Sequence, residues 1–142
     1  MRRFLYDTAV FVYALGGDHP YRGPCQRLLA LAGSERLVGE ASVELVHEFV
    51  HVRARRTGDR AAAVAQGMDI ADLCVLHEVR EGDLRLALRL FAGQQRLDVR
   101  DALFAATALN RGIDAVVSPD RAFDAVGGLE RVDPADAESR LS

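Results

Sequence analysis

Short apolar runs alternate with longer helical stretches from one end of this chain to the other, and that alternation limits the fold more than any other feature. Brief runs of strand-forming residues stand at 4–6, 36–38, 74–77, 115–117 and 129–132. Helical spacing of apolar residues occupies 9–15, 21–32, 42–56, 59–73, 83–92 and 101–110. Strand candidates separated by helix candidates predict βαβ units, which join parallel strands and lay helices on the sheet. Local punctuation agrees. Ser42 can cap the helix carrying Val43, Val46, Phe49 and Val50, Gly58 ends it, Asp59 can cap the next, and Gly112 closes the alanine-rich helix before Ala115. The fold class expected is therefore α/β with a mostly parallel sheet.

The chain has 142 residues, 49% of them hydrophobic. A domain of that length buries about 68–70% of its unfolded surface, enough to stand without covalent staples. No repeat, low-complexity tract or long linker interrupts it, so residues 1–142 are expected to form a single domain. Cys25 and Cys74 lie far apart and neither has a CxxC partner, which argues against a disulfide framework and against a thiolate zinc site. No apolar run approaches the ~20 residues of a membrane span, and the Met1-Arg2-Arg3 start leads only into a short apolar stretch that contains Asp7. The expectation is a soluble, unprocessed protein of a reducing cytoplasm.

A formal charge of −3 speaks against a basic module that binds nucleic acid by neutralising many phosphates. All 18 basic residues are arginine. Arg53, Arg55, Arg56 and Arg60 cluster closely enough to grip a phosphate backbone, although a solvated helix end accounts for them equally well.

The acids are more informative. Asp7 directly follows Phe4-Leu5-Tyr6, so it belongs at the carboxyl end of the first strand, where open α/β sheets bind their ligands. Asp120 takes the matching place after Ala115-Val116-Val117, with Ser118 and Pro119 turning the chain out of the sheet. Asp101 opens a helix whose positive end favours an anion, and Glu48 interrupts an otherwise apolar helical face. Right-handed crossovers can return both helices to the same rim. Four carboxylates in one pocket repel one another and raise each other's pKa unless a cation intervenes. Oxygen-only ligation suits Mg²⁺ or Mn²⁺, ions that activate water and stabilise a phosphoryl group under attack. Phosphodiester hydrolysis is the reaction class that follows. Position alone also allows plainer roles: Asp101 as a helix cap, Asp120 as a turn cap, and Glu48 as a half-exposed helical acid no different from Glu44.

The residues in order resemble a known family, the PIN-domain ribonucleases, and in particular the VapC-type toxins of bacterial toxin–antitoxin pairs. The likeness starts at Phe4-Leu5-Tyr6-Asp7-Thr8 and continues at Ala41-Ser42-Val43-Glu44-Leu45-Val46-His47-Glu48-Phe49, where it favours Glu48 over Glu44. It closes with Arg100-Asp101-Ala102-Leu103-Phe104-Ala105-Ala106-Thr107-Ala108 and Val116-Val117-Ser118-Pro119-Asp120-Arg121-Ala122-Phe123-Asp124. The resemblance implies a three-layer α/β/α sandwich, an acidic Mg²⁺ or Mn²⁺ site and endoribonuclease activity on RNA. It also implies a homodimer and inhibition by a small antitoxin protein. Carried over by residue, Asp7, Glu48, Asp101 and Asp120 form the site. Asp98 and Asp124 are further acids beside the last two motifs, either of which could assist or substitute as a metal ligand through water, and Ser118 matches a hydroxyl position that orients a carboxylate.

A second motif competes for the same helix. His47-Glu48-Phe49-Val50-His51 fits the H-E-x-x-H pattern of zinc proteases, with both histidines on one helix face. The longer metzincin form fails, since Ala54 and Thr57 stand where glycine and a third histidine belong, and His77 or Glu78 would have to complete the zinc set. A catalytically silent, RNA-binding version of the same fold is the other alternative. A phospho-accepting receiver module would need a lysine at its site, and the chain contains none. The 16–24 loop is a candidate for selecting substrate, and His19, beside Pro20 within it, is expected in solvent.

Overall fold

The computed structural model describes residues 2–141. In chain order the elements are β1 (Arg2–Tyr6), α1 (Thr8–Leu15), α2 (Arg22–Leu31), β2 (Leu37–Ser42), α3 (Val43–Thr57), α4 (Arg60–Leu73), β3 (Val75–His77), α5 (Glu81–Gly93), α6 (Val99–Asn110), β4 (Ala115–Val117) and β5 (Glu130–Val132). Short 3₁₀ turns follow β4 and β5, at Arg121–Ala125 and Glu138–Leu141. The five strands form one sheet in the order β3-β2-β1-β4-β5, with every adjacent pair parallel. The α/β class and the parallel sheet expected from the alternation of elements are present, as is the three-layer arrangement that the resemblance implies.

Strand alternation sorts the two faces. Phe4 and Tyr6 point to one side, where the Tyr6 ring meets α2 and its hydroxyl reaches the Leu28 carbonyl at 3.5 Å. Arg3 points to the other, where its guanidinium donates to the Arg111 carbonyl at the end of α6 at 3.1 Å. Phe4, Tyr6, Phe11, Phe49 and Phe123 are all fully buried, each worth roughly 1.5–3 kcal/mol of apolar transfer. Cys25 and Cys74 are free and buried, and burial pushes their thiols up to about 11 and about 12, so neither is a ready nucleophile.

Several boundaries differ from the sequence reading for identifiable reasons. β2 runs on to Ser42 where the pattern suggested an end at Val38. Gly39 and Glu40 look like breakers, but Gly39 passes under the Tyr6 ring, where a Cβ would stand 2.7 Å from Tyr6 Cε2. Glu40 is held by Arg3 and His77. α6 begins at Val99 with Asp98 as its N-cap, so Asp101 is not the cap but the third helical residue.

The strand order has one functional consequence. The chain winds outward from β1 through β2 to β3, then crosses back to place β4 on the other side of β1. The reversal opens a crevice beyond the carboxyl ends of β1 and β4, the place where sheets of this kind bind ligands.

Candidate active site

Asp7 leaves β1 at that crevice. Its backbone N–H donates to the Val117 carbonyl at 3.1 Å, tying it to the end of β4, and it caps α1, its Oδ1 accepting the Thr8 N–H at 2.8 Å. Its second oxygen, Oδ2, accepts the Ser118 hydroxyl at 2.7 Å. Ser118 is itself fully buried and accepts the Asp120 N–H at 3.0 Å. One hydroxyl therefore couples the two strand-end acids. Asp120 caps the following 3₁₀ turn, with Oδ1 accepting the Ala122 N–H at 3.0 Å.

Two helices return the remaining acids. Ser42 caps α3, accepting the Leu45 N–H at 3.0 Å, and this fixes the turn that presents Glu48 to the crevice. Glu48 Oε2 accepts the Thr8 hydroxyl at 3.0 Å, and Oε1 accepts Arg100 Nη1 at 2.7 Å. Asp101 is half-buried and feels the charges of Asp7, Asp98 and Asp120.

The electrostatics of the cluster are those of acids without enough cation. Burial, reinforced by repulsion from Asp7, Asp98 and Asp120, pushes Asp101 up to about 8, and its protonated form hydrogen-bonds Asp120. Burial pushes Asp7 up to about 6 against the opposing pull of Ser118 and the Thr8 N–H, with the charges of Glu48 and Asp120 adding to the rise. Among the described residues no arginine or histidine pairs with Asp7, Asp101 or Asp120. Arg100 serves Glu48, and its second nitrogen lies 3.8 Å from Asp98. The donor set is all oxygen and anionic, which fits a hard divalent cation, although among the described residues no three groups close into a finished ligand set.

The structure thus brings Asp7, Glu48, Asp101 and Asp120 to one rim, with Asp98 alongside as the α6 cap. Asp124 is instead paired with Arg131, whose Nε donates to it at 2.9 Å. Glu44 is exposed in the first turn of α3. Arg55 and Arg56 lie in the last turn of α3, roughly 10 Å or more of helix rise beyond Glu48, where they complement the helix terminus, while Arg60 opens α4 and Arg53 donates to Gln66 at 3.2 Å. His47 and His51 are exposed, and of the two residues that could complete a zinc set His77 is held by Glu40 at 2.8 Å and Glu78 is exposed. The zinc reading is left without a third ligand among the described residues. Thr8 and Arg100, which orient Glu48, went unnoticed in the sequence, although each adjoins a recognised acid.

Comparison with known proteins agrees with this geometry. The PIN domain family model matches residues 4–129. Ribonuclease VapC7 of Mycobacterium tuberculosis is 39% identical over 138 residues, covering 96% of this chain and 94% of that protein. Ribonuclease VapC13 of the same organism is 34% identical, covering 90% of this chain and 98% of its own length. Among solved structures, M. tuberculosis VapC20, described as a Sarcin-Ricin loop cleaving toxin, superposes with a TM-score of 0.73 at 20% identity, over 87% of this chain and 95% of that one. DNA-bound VapBC from Salmonella typhimurium gives 0.73 at 15% identity, over 94% and 99%. With the four acidic motifs in order on a matching sheet, the chain belongs to the PIN-domain family and, within it, to the VapC ribonucleases.

Proposed function

We propose that this protein is an Mg²⁺- or Mn²⁺-dependent endoribonuclease that hydrolyses RNA phosphodiester bonds as the toxin of a toxin–antitoxin pair. The observation that carries the metal-dependent part is the pair of upward-shifted acids, Asp7 and Asp101, gathered with Asp120 at the switch point and without a protein cation of their own. In this reading Asp7, Asp101 and Asp120 hold the ion, Asp98 supports them, and Glu48 contributes directly or through water. When bound, the ion supplies an activated water and a Lewis acid for the phosphoryl oxygen. The chain's own residues set the stage. Ser118 and the Thr8 N–H lock the Asp7 carboxylate in one orientation, while Thr8 Oγ1 and Arg100 do the same for Glu48. Asp101 would have to be a carboxylate to hold the cation, so a bound ion would compete with its proton.

The test is RNA cleavage after chelation. Cleavage restored by Mn²⁺ or Mg²⁺ and lost in Asp101→Asn and Glu48→Gln is the expected result, together with growth arrest that Asp7→Asn relieves in a folded protein. Full activity in the presence of chelator would overturn the metal dependence.

A homodimer and a small antitoxin partner complete the proposal, along with a cytoplasmic location. Among the described residues no helix is long and apolar enough to cross a membrane. The apolar residues of α2 and α4 are only partly available for such an interface. Leu28 and Ile70 belong to the core, whereas Val64, Met68 and Leu73 remain exposed. α5 adds Leu84, Leu88 and Phe91, spaced along one exposed face. A monomer at high concentration with no partner co-purifying from its host would count against this part.

A further inference from the structure

Three aromatic rings meet on the surface at the neighbouring flank of the same sheet edge. Tyr13 lies near the end of α1, Tyr21 immediately precedes α2, and His19 stands in the turn between them. The Tyr13 and His19 rings stack with centroids 4.3 Å apart and 26° between planes. Tyr21 lies 5.6 Å from His19 at the same interplanar angle and 5.4 Å from Tyr13. These separations make a compact triangle, so the two tyrosines lie to one side of the imidazole and cannot sandwich it. His19 is exposed, which leaves its outer face open.

That exposed ring is nevertheless held. The Tyr21 backbone N–H donates to its Nδ1 at 3.1 Å, and the Tyr21 hydroxyl donates to Asp133 at 2.7 Å. A ring fixed before any ligand arrives loses little freedom on binding, the condition under which a stacking contact yields most affinity. Contacts also connect it to the carboxylates. Asp133 follows β5, Arg131 of that strand lies 3.8 Å from Asp133 and donates to the Ser118 carbonyl at 3.1 Å, and Ser118 holds Asp7. Along α1, Tyr13 is separated from the capping Asp7 by roughly 9 Å of helix rise. That is the span of about three nucleotides at the ~3.4 Å spacing of a stacked strand.

We propose that the Tyr13–His19–Tyr21 stack is a platform for one unpaired RNA base a few nucleotides from the scissile phosphate. The proposal rests on the RNA-cleaving reading above. Every base presents a π-face, and proteins that read single-stranded RNA stack splayed bases on tyrosine and histidine. A paired base is already stacked in its duplex, so the platform selects a single-stranded or looped segment.

The experiment first maps the cuts that the parent protein makes in total bacterial RNA with Mn²⁺. A short RNA spanning one cut then carries 2-aminopurine, whose fluorescence stacking quenches, at one position at a time, and is bound to the Asp101→Asn protein. The expected result is a strong quench at one position, lost when His19→Ala is added and regained with His19→Phe. In cleavage, His19→Ala raises KM roughly five- to a hundredfold, the loss that removing one stacking ring carries, with kcat held within about twofold. A quench indifferent to His19→Ala, or a lowered Tm with KM untouched, would reduce the rings to a brace for the α1–α2 turn and overturn the platform. Failure of the parent to cut any RNA would sink the nuclease reading and this proposal with it, whereas cleavage unaffected by His19→Ala sinks the platform alone.

Discussion

On the face that carries α5 and α6, Glu40 of β2 is 2% exposed and Asp83 of α5 is 1% exposed, and each is met by an arginine. Glu40 takes both Arg3 nitrogens at 2.8 Å and His77 at 2.8 Å. Asp83 takes Arg111 at 2.7 and 3.0 Å and Asn110 at 2.8 Å. At the carboxyl edge of the sheet, Asp7 is 7% exposed and Asp101 half-buried, and neither has such a partner. The same residue type therefore ends in opposite states according to the partners it is given. For Asp83, burial works upward, but the hydrogen bonds and charge of Arg111, with Asn110 and the Arg80 N–H, outweigh it and hold the carboxyl down at about 2. For Asp101, burial and like charge act together and push it up to about 8. An acid whose protein partners are built in is part of the fold; an acid left in deficit is placed for a cation from outside.

The largest effect that sharpens this comparison is on catalysis. Asp101→Asn is expected to lower kcat/KM for RNA by at least ~10²–10³-fold, the scale of losing one preorganised electrostatic contact at a reacting centre. The same variant should fold as well as the parent without metal, and better than it above pH ~8, where the parent's Asp101 carries a repelled charge. Urea melts beside the cleavage assay check both, and a variant that loses activity by unfolding would break the distinction.

Arg111→Ala is the mirror experiment. It strands Asp83 without its guanidinium, so unfolding free energy should fall by about 3 kcal/mol, the cost of breaking a buried pair from one side. Turnover per folded molecule should be kept. Denaturation midpoints with active-site titration measure both, and a stable but inactive protein would put Arg111 in the wrong class.

The two groups also predict opposite responses to pH. Asp83 titrates in the folded protein near 2, below its unfolded value of about 4, so its stabilisation is present above pH ~4 and is lost as pH falls toward 2. Asp7 and Asp101 titrate near 6 and 8, above their unfolded values. Between pH ~4 and 8 the folded state therefore binds more protons than the unfolded one, and stability falls as pH rises. With metal chelated, Tm is expected to drop by about 5 °C between pH 5 and pH 8 relative to Asp101→Asn, and saturating Mn²⁺ should abolish the drop. A chelated parent and an Asp101→Asn variant with the same pH profile would contradict the charge deficit.

The contrast also explains what could be read from sequence. Asp7 and Asp120 were legible because strand ends are visible as the last residue of an apolar run, and the parallel sheet follows from the alternation of elements. Glu48 and Asp101 needed the family motifs, since helix position alone gives Glu44 the same standing and allows Asp101 to be a mere cap. Glu40 and Asp83 were not legible at all. Their partners Arg3, His77 and Arg111 lie 28 to 37 residues away in sequence, and only the sheet and the α5–α6 packing bring them together. For the same reason β2 looked too short, because a glutamate inside a strand reads as an end until its arginine is known. The aromatic triangle escaped because its rings sit at unrelated positions on a helix, a turn and a second helix.

The smallest expected effect tests the edge against its zinc alternative. On α3 the two readings give neighbouring residues exchanged roles. In a carboxylate site Glu48 acts near the ion while His47 and His51 stand by, whereas in a zinc site the histidines bind and Glu48 only moves protons. Glu48 is only partly exposed and joined to Thr8 and Arg100, while both histidines are exposed. His77, one of the two residues that could complete the zinc set, is already held by Glu40, so it belongs with the internally matched acids and not with the edge. The double His47→Ala/His51→Ala variant should therefore keep RNA cleavage with Mg²⁺ or Mn²⁺ within about twofold and change stability by no more than about 0.5 kcal/mol, as exposed substitutions do. Peptide cleavage by the zinc-loaded parent, abolished in the double variant and unaffected by Asp101→Asn, would move the cation from the sheet edge to the helix face. In that case the charge deficit at Asp7 and Asp101 would have no catalytic use.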